Sequence, residues 1–196
     1  KGDKRKLAGL LDAFGVVYRL RGETDLAEDY FNRSLNIYKE IENKEDYRKS
    51  LQRIGGSYLS KGDYKQALEY ATLSLELNQE ISDHIGSANS LGQIGYIYFA
   101  QGENDLALDY FSKALNIFKD IGDKEGMTGI LLNMGYLYQN KLDLDTTIDY
   151  YNEALTLSNE IDTKHSSAYI LSQLGSVYAK KGDFNLALNY SNRALL

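Results

Sequence analysis

A repeat of 40 residues is the feature of this sequence that most restricts its fold. Leucine, glycine and tyrosine each recur at this interval in five copies. These are Leu11, Leu51, Leu91, Leu131 and Leu171; Gly15, Gly55, Gly95, Gly135 and Gly175; and Tyr18, Tyr58, Tyr98, Tyr138 and Tyr178. A fixed period of about 20 to 50 residues is typical of solenoids, in which one supersecondary unit stacks on the next. We therefore expect a single solenoid domain over residues 1–196, with repeats near 3–42, 43–82, 83–122, 123–162 and 163–196.

Each repeat is predicted to contain two α-helices. Apolar or small residues recur at helical spacing in both halves of the central repeat, as in Leu91 and Gly95 and then in Ala107, Phe111 and Ala114. The sequence contains no proline to interrupt a helix. First helices are expected to begin at the capping residues Asp3, Asn43, Asp83, Asp123 and Thr163, and to end at Gly22, Gly62, Gly102 and Gly182. The predicted fold class is an all-α solenoid of five helix pairs.

The fourth repeat departs from this pattern at its turn. Leu142 replaces the turn glycine and Thr147 replaces an alanine that recurs in the other repeats. We expect Leu142 either to adopt a left-handed conformation, at about 1–2 kcal/mol, or to force a different turn.

Composition argues against several classes of function. The net charge of −6 opposes non-specific binding to nucleic acid, and the absence of cysteine excludes disulfides and thiolate chemistry. No apolar run approaches the roughly 20 residues that a membrane helix needs. No serine has a histidine and a carboxylate placed to activate it. We expect no enzymatic activity, no cofactor, no metal and no membrane or nucleic-acid partner, and a cytoplasmic location.

The repeat resembles the tetratricopeptide repeat. That family's pattern appears as Leu91, Ile94-Gly95, Tyr98, Gly102, Ala107, Phe111 and Ala114. The family usually has a shorter period, with a proline that closes the second helix; here the proline position holds Lys39, Gln79, Lys119 and Asn159. In repeat length the chain is similar to Pins/LGN-type adaptors, kinesin light chains and bacterial Rap-type regulators. The resemblance implies a right-handed superhelix whose first helices line a concave groove for a peptide.

Candidate binding residues follow from the first-helix positions that should face this groove. They are Lys49, Gln52, Arg53, Asn89, Gln93, Tyr96, Asn133, Tyr136, Gln139 and Gln173. Asn133 matches an asparagine that binds peptide backbone in the long-repeat relatives. Lys49 and Arg53 lie one helical turn apart, which could favour an acidic ligand, although a solvated basic patch would have the same pattern. The carboxylate clamp of some tetratricopeptide domains is not indicated, because its Lys and Asn positions hold Asp12 and Val16, or Gln52 and Gly56.

The predicted function is a protein–protein interaction module that binds a peptide or partner protein. The alternatives are a structural or self-associating spacer and the sensory arm of a larger regulator. End-to-end association is expected from apolar residues near both ends of the repeat array, Leu7, Leu11 and Phe14 at one end and Leu188, Ala194 and Leu195 at the other.

Overall fold

The computed structural model describes residues 2–195, and these residues form ten α-helices and no β-strand. The all-α fold class is therefore confirmed. The helices are α1 (Gly2–Leu20), α2 (Thr24–Glu40), α3 (Lys44–Lys61), α4 (Tyr64–Glu80), α5 (His84–Gln101), α6 (Asn104–Ile121), α7 (Lys124–Asn140), α8 (Leu144–Glu160), α9 (Lys164–Lys181) and α10 (Phe184–Ala194).

The helices belong to two compact units. The first unit, Lys1–Gln101, contains α1 to α5, and the second unit, Gly102–Leu196, contains α6 to α10. Within each unit, a second helix packs on the first helix of the next repeat, as α2 does on α3 and α8 on α9. The single domain expected over 1–196 stays a prediction.

Side-chain caps fix the start of several helices. The carboxylate of Asp83 accepts a hydrogen bond of 2.8 Å from the Gly86 N–H, and Asn43 and Asp123 cap α3 and α7 in the same way. One predicted cap is wrong, because Asp3 lies inside the first turn of α1. Thr163 is the N-cap residue of α9, as predicted, but its hydroxyl bonds to Ser158 instead of to the start of the helix.

Left-handed residues close the turns between helices. Gly22, Gly62, Gly102 and Gly182 have positive φ, as expected, and Leu142 adopts the same conformation with φ of 61°. The turn that follows each second helix also uses a left-handed residue, which sequence analysis did not anticipate. That residue is Gly122 after α6, but Glu42, Ser82 and Asp162 after α2, α4 and α8. A side chain in this conformation costs roughly 1–2 kcal/mol, which glycine avoids.

Aromatic pairs join the two helices of a repeat. Tyr58 and Tyr70 stack with centroids 5.4 Å apart, and Tyr178 stacks on Tyr190 at 5.2 Å. The same pairing joins Tyr18 to Tyr30 and Tyr138 to Tyr150. At Gly15 an added Cβ would lie 2.6 Å from the Phe31 ring, so the missing side chain lets α2 approach α1 closely. The repeated tyrosines are therefore packing residues.

Candidate functional site

A small basic pocket lies on the first helices of the first unit. Its volume is about 270 Å³, and it is lined by Arg19 from α1 and by Lys49, Gln52, Arg53 and Gly56 from α3. The α3 residues share one face because they are three or four positions apart. The structure therefore brings together three predicted site residues, Lys49, Gln52 and Arg53.

A buried carboxylate fixes the position of the Arg53 side chain. Asp12 of α1 is only 5% exposed, and it forms an ion pair with Nη1 of Arg53. The Ser50 hydroxyl donates to the same carboxylate at 3.0 Å, and the Ser34 hydroxyl donates to it as well. From the sequence, Arg53 is a candidate for binding an acidic ligand. In the structure it forms an ion pair with Asp12 of the same chain.

The other two cations of the pocket differ in their partners. Lys49 forms an ion pair of 2.8 Å with Glu45, one turn earlier in α3. Hydrogen bonds from Lys49 and then from Arg48 lower the pKa of Glu45. Arg19 was missed from sequence, and its Nε is buried without a hydrogen-bond partner among the described residues. Arg19 has the same position in the repeat as Gln139, which was a candidate binding residue. The register could therefore have indicated Arg19 as well.

The predicted residues of α5 lie on its exposed side, with one qualification for Gln93. The Gln93 Nε2 donates a hydrogen bond of 3.3 Å to the backbone carbonyl of Gln52, so this amide already binds a main chain, that of α3. Asn89 is exposed, and Tyr96 is 41% exposed with its ring 6.0 Å from that of Phe99.

In the second unit, the corresponding surface is aromatic. Tyr136 of α7 is 47% exposed, and Asn133 and Gln173 are half-buried on α7 and α9. Tyr169 of α9 is 53% exposed and was missed, although it occupies the register of the candidates Lys49 and Asn89. The register could therefore have indicated Tyr169 from the sequence.

Gln139 lies in the interior of the second unit. It is 6% exposed and accepts a hydrogen bond of 3.1 Å from the hydroxyl of Tyr151, which is 1% exposed. Burial is the main cause that raises the pKa of Tyr151, followed by its interactions with Tyr169 and Tyr136. The Gln139 amide thus satisfies a buried phenol, and we leave Gln139 out of the proposed binding surface.

Comparison with known families shows which fold carries these surfaces. A family model described as Tetratricopeptide repeat matches residues 46–120 and 127–195. The chain belongs to this family. The tetratricopeptide solenoid inferred from the 40-residue repeat is thereby confirmed, and so is its general character as a protein-binding scaffold. No curated protein matches the chain.

Solved tetratricopeptide structures share the fold at low sequence identity. BtubC (BKLC) from P. vanneervenii is 19% identical with a TM-score of 0.79, covering 97% of this chain and 79% of that one. A putative kinesin light chain from Podosopora anserina with nearly identical TPR-like repeats is 13% identical with a TM-score of 0.72, covering 97% and 93%. The Rap conjugation gene regulator of plasmid pLS20, in complex with the Phr* peptide, is 19% identical with a TM-score of 0.78, covering 92% and 50%. At these identities the likeness shows the fold alone.

The tetratricopeptide helices of this chain offer hydrogen-bonding, cationic and aromatic side chains. Among residues 2–195, no group of three or more His, Cys, Asp or Glu residues could hold a metal ion. No helix in that part of the chain is long and apolar enough to cross a membrane. The exposed or partly exposed side chains of the first helices include amides, guanidinium groups and phenol rings.

Proposed function

We propose that this chain is a non-enzymatic module that binds a peptide, or an extended segment of a partner protein, along its first helices. The observation that carries the proposal is the exposure of large aromatic side chains at recurrent first-helix positions. Tyr96 and Tyr136 occupy one register and are 41% and 47% exposed; Tyr169 is 53% exposed. Exposed tyrosines are common anchors of protein interfaces, since they bury a large area with little loss of side-chain freedom.

Amide side chains beside these tyrosines support a peptide ligand. Asn133 precedes Tyr136 by almost one helical turn, and Gln173 has the register of Asn133 on α9. Each amide offers both donors and an acceptor, which a peptide main chain requires. Gln93 is a weaker contributor to this proposal, because its Nε2 is bound to the Gln52 carbonyl. The Rap regulator in complex with the Phr* peptide shares this fold, which makes a peptide a reasonable ligand class here.

The experiment selects peptides first and then tests the surface. A random peptide library displayed on phage is selected on the immobilised chain, and the affinity of the recovered peptide is measured by fluorescence anisotropy. Asn133→Ala combined with Tyr136→Ala should weaken binding by roughly tenfold or more, because a hydrogen bond and an aromatic anchor are both lost. The control is Asn116→Ala, an exposed amide of the second helix α6. Equal affinities for the double variant and the control would contradict the proposal.

A second candidate function, self-association, is favoured by the exposed face of α1. Leu10, Phe14 and Val17 are 58%, 48% and 50% exposed. The corresponding residues of every other first helix are buried. They are Ser50, Ser90, Ile130 and Ile170 for Leu10; Ile54, Ile94, Met134 and Leu174 for Phe14; and Ser57, Ile97, Leu137 and Val177 for Val17. Those faces meet a preceding second helix in the α2–α3 and α8–α9 contacts. We propose that α10 of a second copy, on which Leu188 is 63% exposed, packs on this face.

Sedimentation velocity over a range of concentrations tests the stacking. Head-to-tail contacts are heterologous, so we expect species heavier than 22.1 kDa that grow with concentration. Phe14→Glu should abolish them by burying a charge in the contact, whereas Glu69→Gln, on exposed surface of α4, should not. A monomer at every concentration would contradict the stacking.

A further inference from the structure

We infer that the basic pocket of the first unit binds a carboxylate group of the partner. The pocket is formed by Arg19, Lys49, Gln52, Arg53 and Gly56. The inference rests on the proposed function and specifies which chemistry the partner presents to α1 and α3. Two of its residues, Gln52 and Gly56, stand at positions of the carboxylate clamp considered from sequence, but neither is the Lys or Asn of that clamp. Its cations, Arg19, Lys49 and Arg53, lie at other positions.

The pocket carries a local positive charge. Three cationic side chains line it in a chain whose net charge is −6. Asp12 pairs with Arg53, and Glu45 is shared between Lys49 and Arg48, whereas Arg19 forms no ion pair with a carboxylate of the described residues. The pocket therefore keeps positive charge that an external carboxylate can neutralise.

Cations of two helices line the pocket. Arg19 lines it from α1, and Lys49 and Arg53 line it from α3. A carboxylate in the pocket therefore lies beside cations of both helices, and a guanidinium can bind a carboxylate through two parallel N–H···O bonds.

Asp12 fixes the position of Arg53. Asp12 engages Nη1 of the guanidinium, while the Arg53 side chain remains 39% exposed. A guanidinium has five N–H donors in a rigid planar fork, so a group fixed at one nitrogen can present the others in a set orientation. Asp12 thus acts as a positioning residue, and Ser34 and Ser50 hold Asp12 in turn.

The pocket has open space at Gly56. A Cβ added to Gly56 would have no heavy atom within 4 Å, so the pocket is open above this residue. The same register holds Tyr96 and Tyr136 in the third and fourth repeats. A volume of about 270 Å³ suits one acidic side chain or one chain terminus. Glycine at this position therefore opens the space that a tyrosine would fill.

The test uses three probe peptides and NMR titration of the ¹⁵N-labelled chain. The probes are acetyl-hexaglutamate amide, acetyl-hexaglutamine amide and acetyl-hexaglutamine with a free C-terminal carboxylate. We expect hexaglutamate amide to shift the backbone amide resonances of Arg19, Gln52 and Arg53, and hexaglutamine amide to leave them unchanged. Shifts with the third probe would identify a chain terminus as the source of the carboxylate, and their absence would identify an acidic side chain. Failure of both carboxylate probes would overturn the inference.

Two variants separate a built pocket from general charge attraction. Arg19→Gln should raise the Kd of the carboxylate probe roughly fivefold or more, because one charged hydrogen-bond donor is lost while the Asp12–Arg53 pair is kept. Lys65→Gln, an exposed residue of α4, removes the same charge and should change the Kd less than about twofold. Equal effects of the two variants would overturn the inference.

Gly56→Tyr should fill the pocket without removing a charge and should also raise the Kd roughly fivefold or more. Gly129→Tyr is its matched control, since an added Cβ there also meets no heavy atom within 4 Å. An unchanged Kd in Gly56→Tyr would contradict the inference. The library-selected peptide and its dependence on Asn133 and Tyr136 are measured separately, so loss of the carboxylate site would leave the proposed function standing.

Discussion

In the first unit, successive repeats meet through hydroxyl groups, whereas the second unit uses alanine and isoleucine at the same register. Ser34 and Ser50 are 3.1 Å apart between α2 and α3, and Ser74 and Ser90 are 3.1 Å apart between α4 and α5. The equivalent residues of the second unit are Ala114 with Ile130 and Ala154 with Ile170, all of them buried.

This difference indicates that the two units draw on different sources of stability. Full burial of an isoleucine contributes about 1.5–3 kcal/mol, whereas a hydrogen bond between neutral groups contributes about 0.5–1.5 kcal/mol net. The first unit also contains four buried atoms without a hydrogen-bond partner in the described residues: Arg19 Nε, Arg48 Nε, Ser57 Oγ and Asn78 Oδ1. We therefore expect the first unit to unfold at lower denaturant concentration than the second.

The polar junction has a compensating use in the first unit. Ser34 and Ser50 bind the Asp12 carboxylate, and Asp12 binds Arg53 at the basic pocket. An isoleucine at the Ser50 position would leave Asp12 with fewer donors. The hydroxyl groups thus contribute less to packing but fix a charged side chain at the proposed binding surface.

The largest effect is expected when an isoleucine of the second unit is replaced by the serine of the first. Ile170→Ser removes a side chain with no exposure from the core cluster around Leu131 and Leu174. It should lower the free energy of unfolding by about 3–5 kcal/mol, because it leaves a cavity and a buried hydroxyl. Urea unfolding followed by circular dichroism measures the loss. Ile85→Ser, at a residue that is 52% exposed, is the control, and equal losses would show that the junction is not the stabilising element.

The second largest effect is expected at the buried ion pair of the first unit. Arg53→Met should cost about 2–4 kcal/mol, near the low end for buried pairs because the Arg53 side chain is 39% exposed. Adding Asp12→Leu should restore part of the loss, since the uncompensated charge is then removed as well. A double-mutant cycle with urea unfolding gives the interaction energy. Additive losses would show that Asp12 does not depend on Arg53, and would weaken its role as a positioning residue.

A smaller effect is expected at the second polar junction. Ser90→Ala removes the acceptor of the Asn78 Nδ2 donor, a hydrogen bond of 2.9 Å, and also the contact with Ser74. Because Asn78 is fully buried and its Oδ1 already lacks a partner, the loss should be about 1–2 kcal/mol. Ser60→Ala, at an exposed hydroxyl of α3, should change stability by less than about 0.5 kcal/mol. A neutral Ser90→Ala would mean that the hydroxyl network adds nothing to the junction.

The sequence predicts the helices well because a repeat samples each structural rule several times. Five copies of one leucine, one glycine and one tyrosine fix which face of each helix packs. The Thr163 side chain makes no capping hydrogen bond to α9, because its hydroxyl bonds to Ser158. Other repeats have Tyr38, Asn78 or Phe118 at the position of Ser158. Such a local competition cannot be inferred from register, since it depends on a single substituted neighbour.

The site could be predicted only where register alone decides exposure. Lys49, Gln52 and Arg53 share a face and do line one pocket. The pairing of Arg53 with Asp12 joins two first helices, and its geometry requires the distance between those helices. Gln139 was assigned to the surface because its register did not reveal that the buried Tyr151 hydroxyl would need an acceptor. Contacts between side chains of different helices, which register alone does not give, place Arg53 beside Asp12 and Gln139 beside Tyr151. The binding role of the candidate residues stays a prediction.

The smallest effect is expected at the turn between first and second helices, where the comparison of the two units reverses. The first unit uses glycine at this turn, as at Gly62 with φ of 76°, whereas the second unit has Leu142 with φ of 61° after α7. A side chain at positive φ costs about 1–2 kcal/mol, but glycine loses more backbone entropy on folding, which offsets part of that gain. Leu142→Gly should therefore stabilise the second unit by only about 0.5–1 kcal/mol, since Leu142 is 79% exposed and contributes little packing. The reciprocal variant, Gly62→Leu, should destabilise the first unit by a similar amount.

Hydrogen exchange locates both effects: in the unchanged chain, 141–147 should exchange faster than 61–67, and Leu142→Gly should reduce that difference. Equal exchange of the two segments in the unchanged chain would show that the left-handed leucine is accommodated without strain, and the turn would then play no part in the difference between the units.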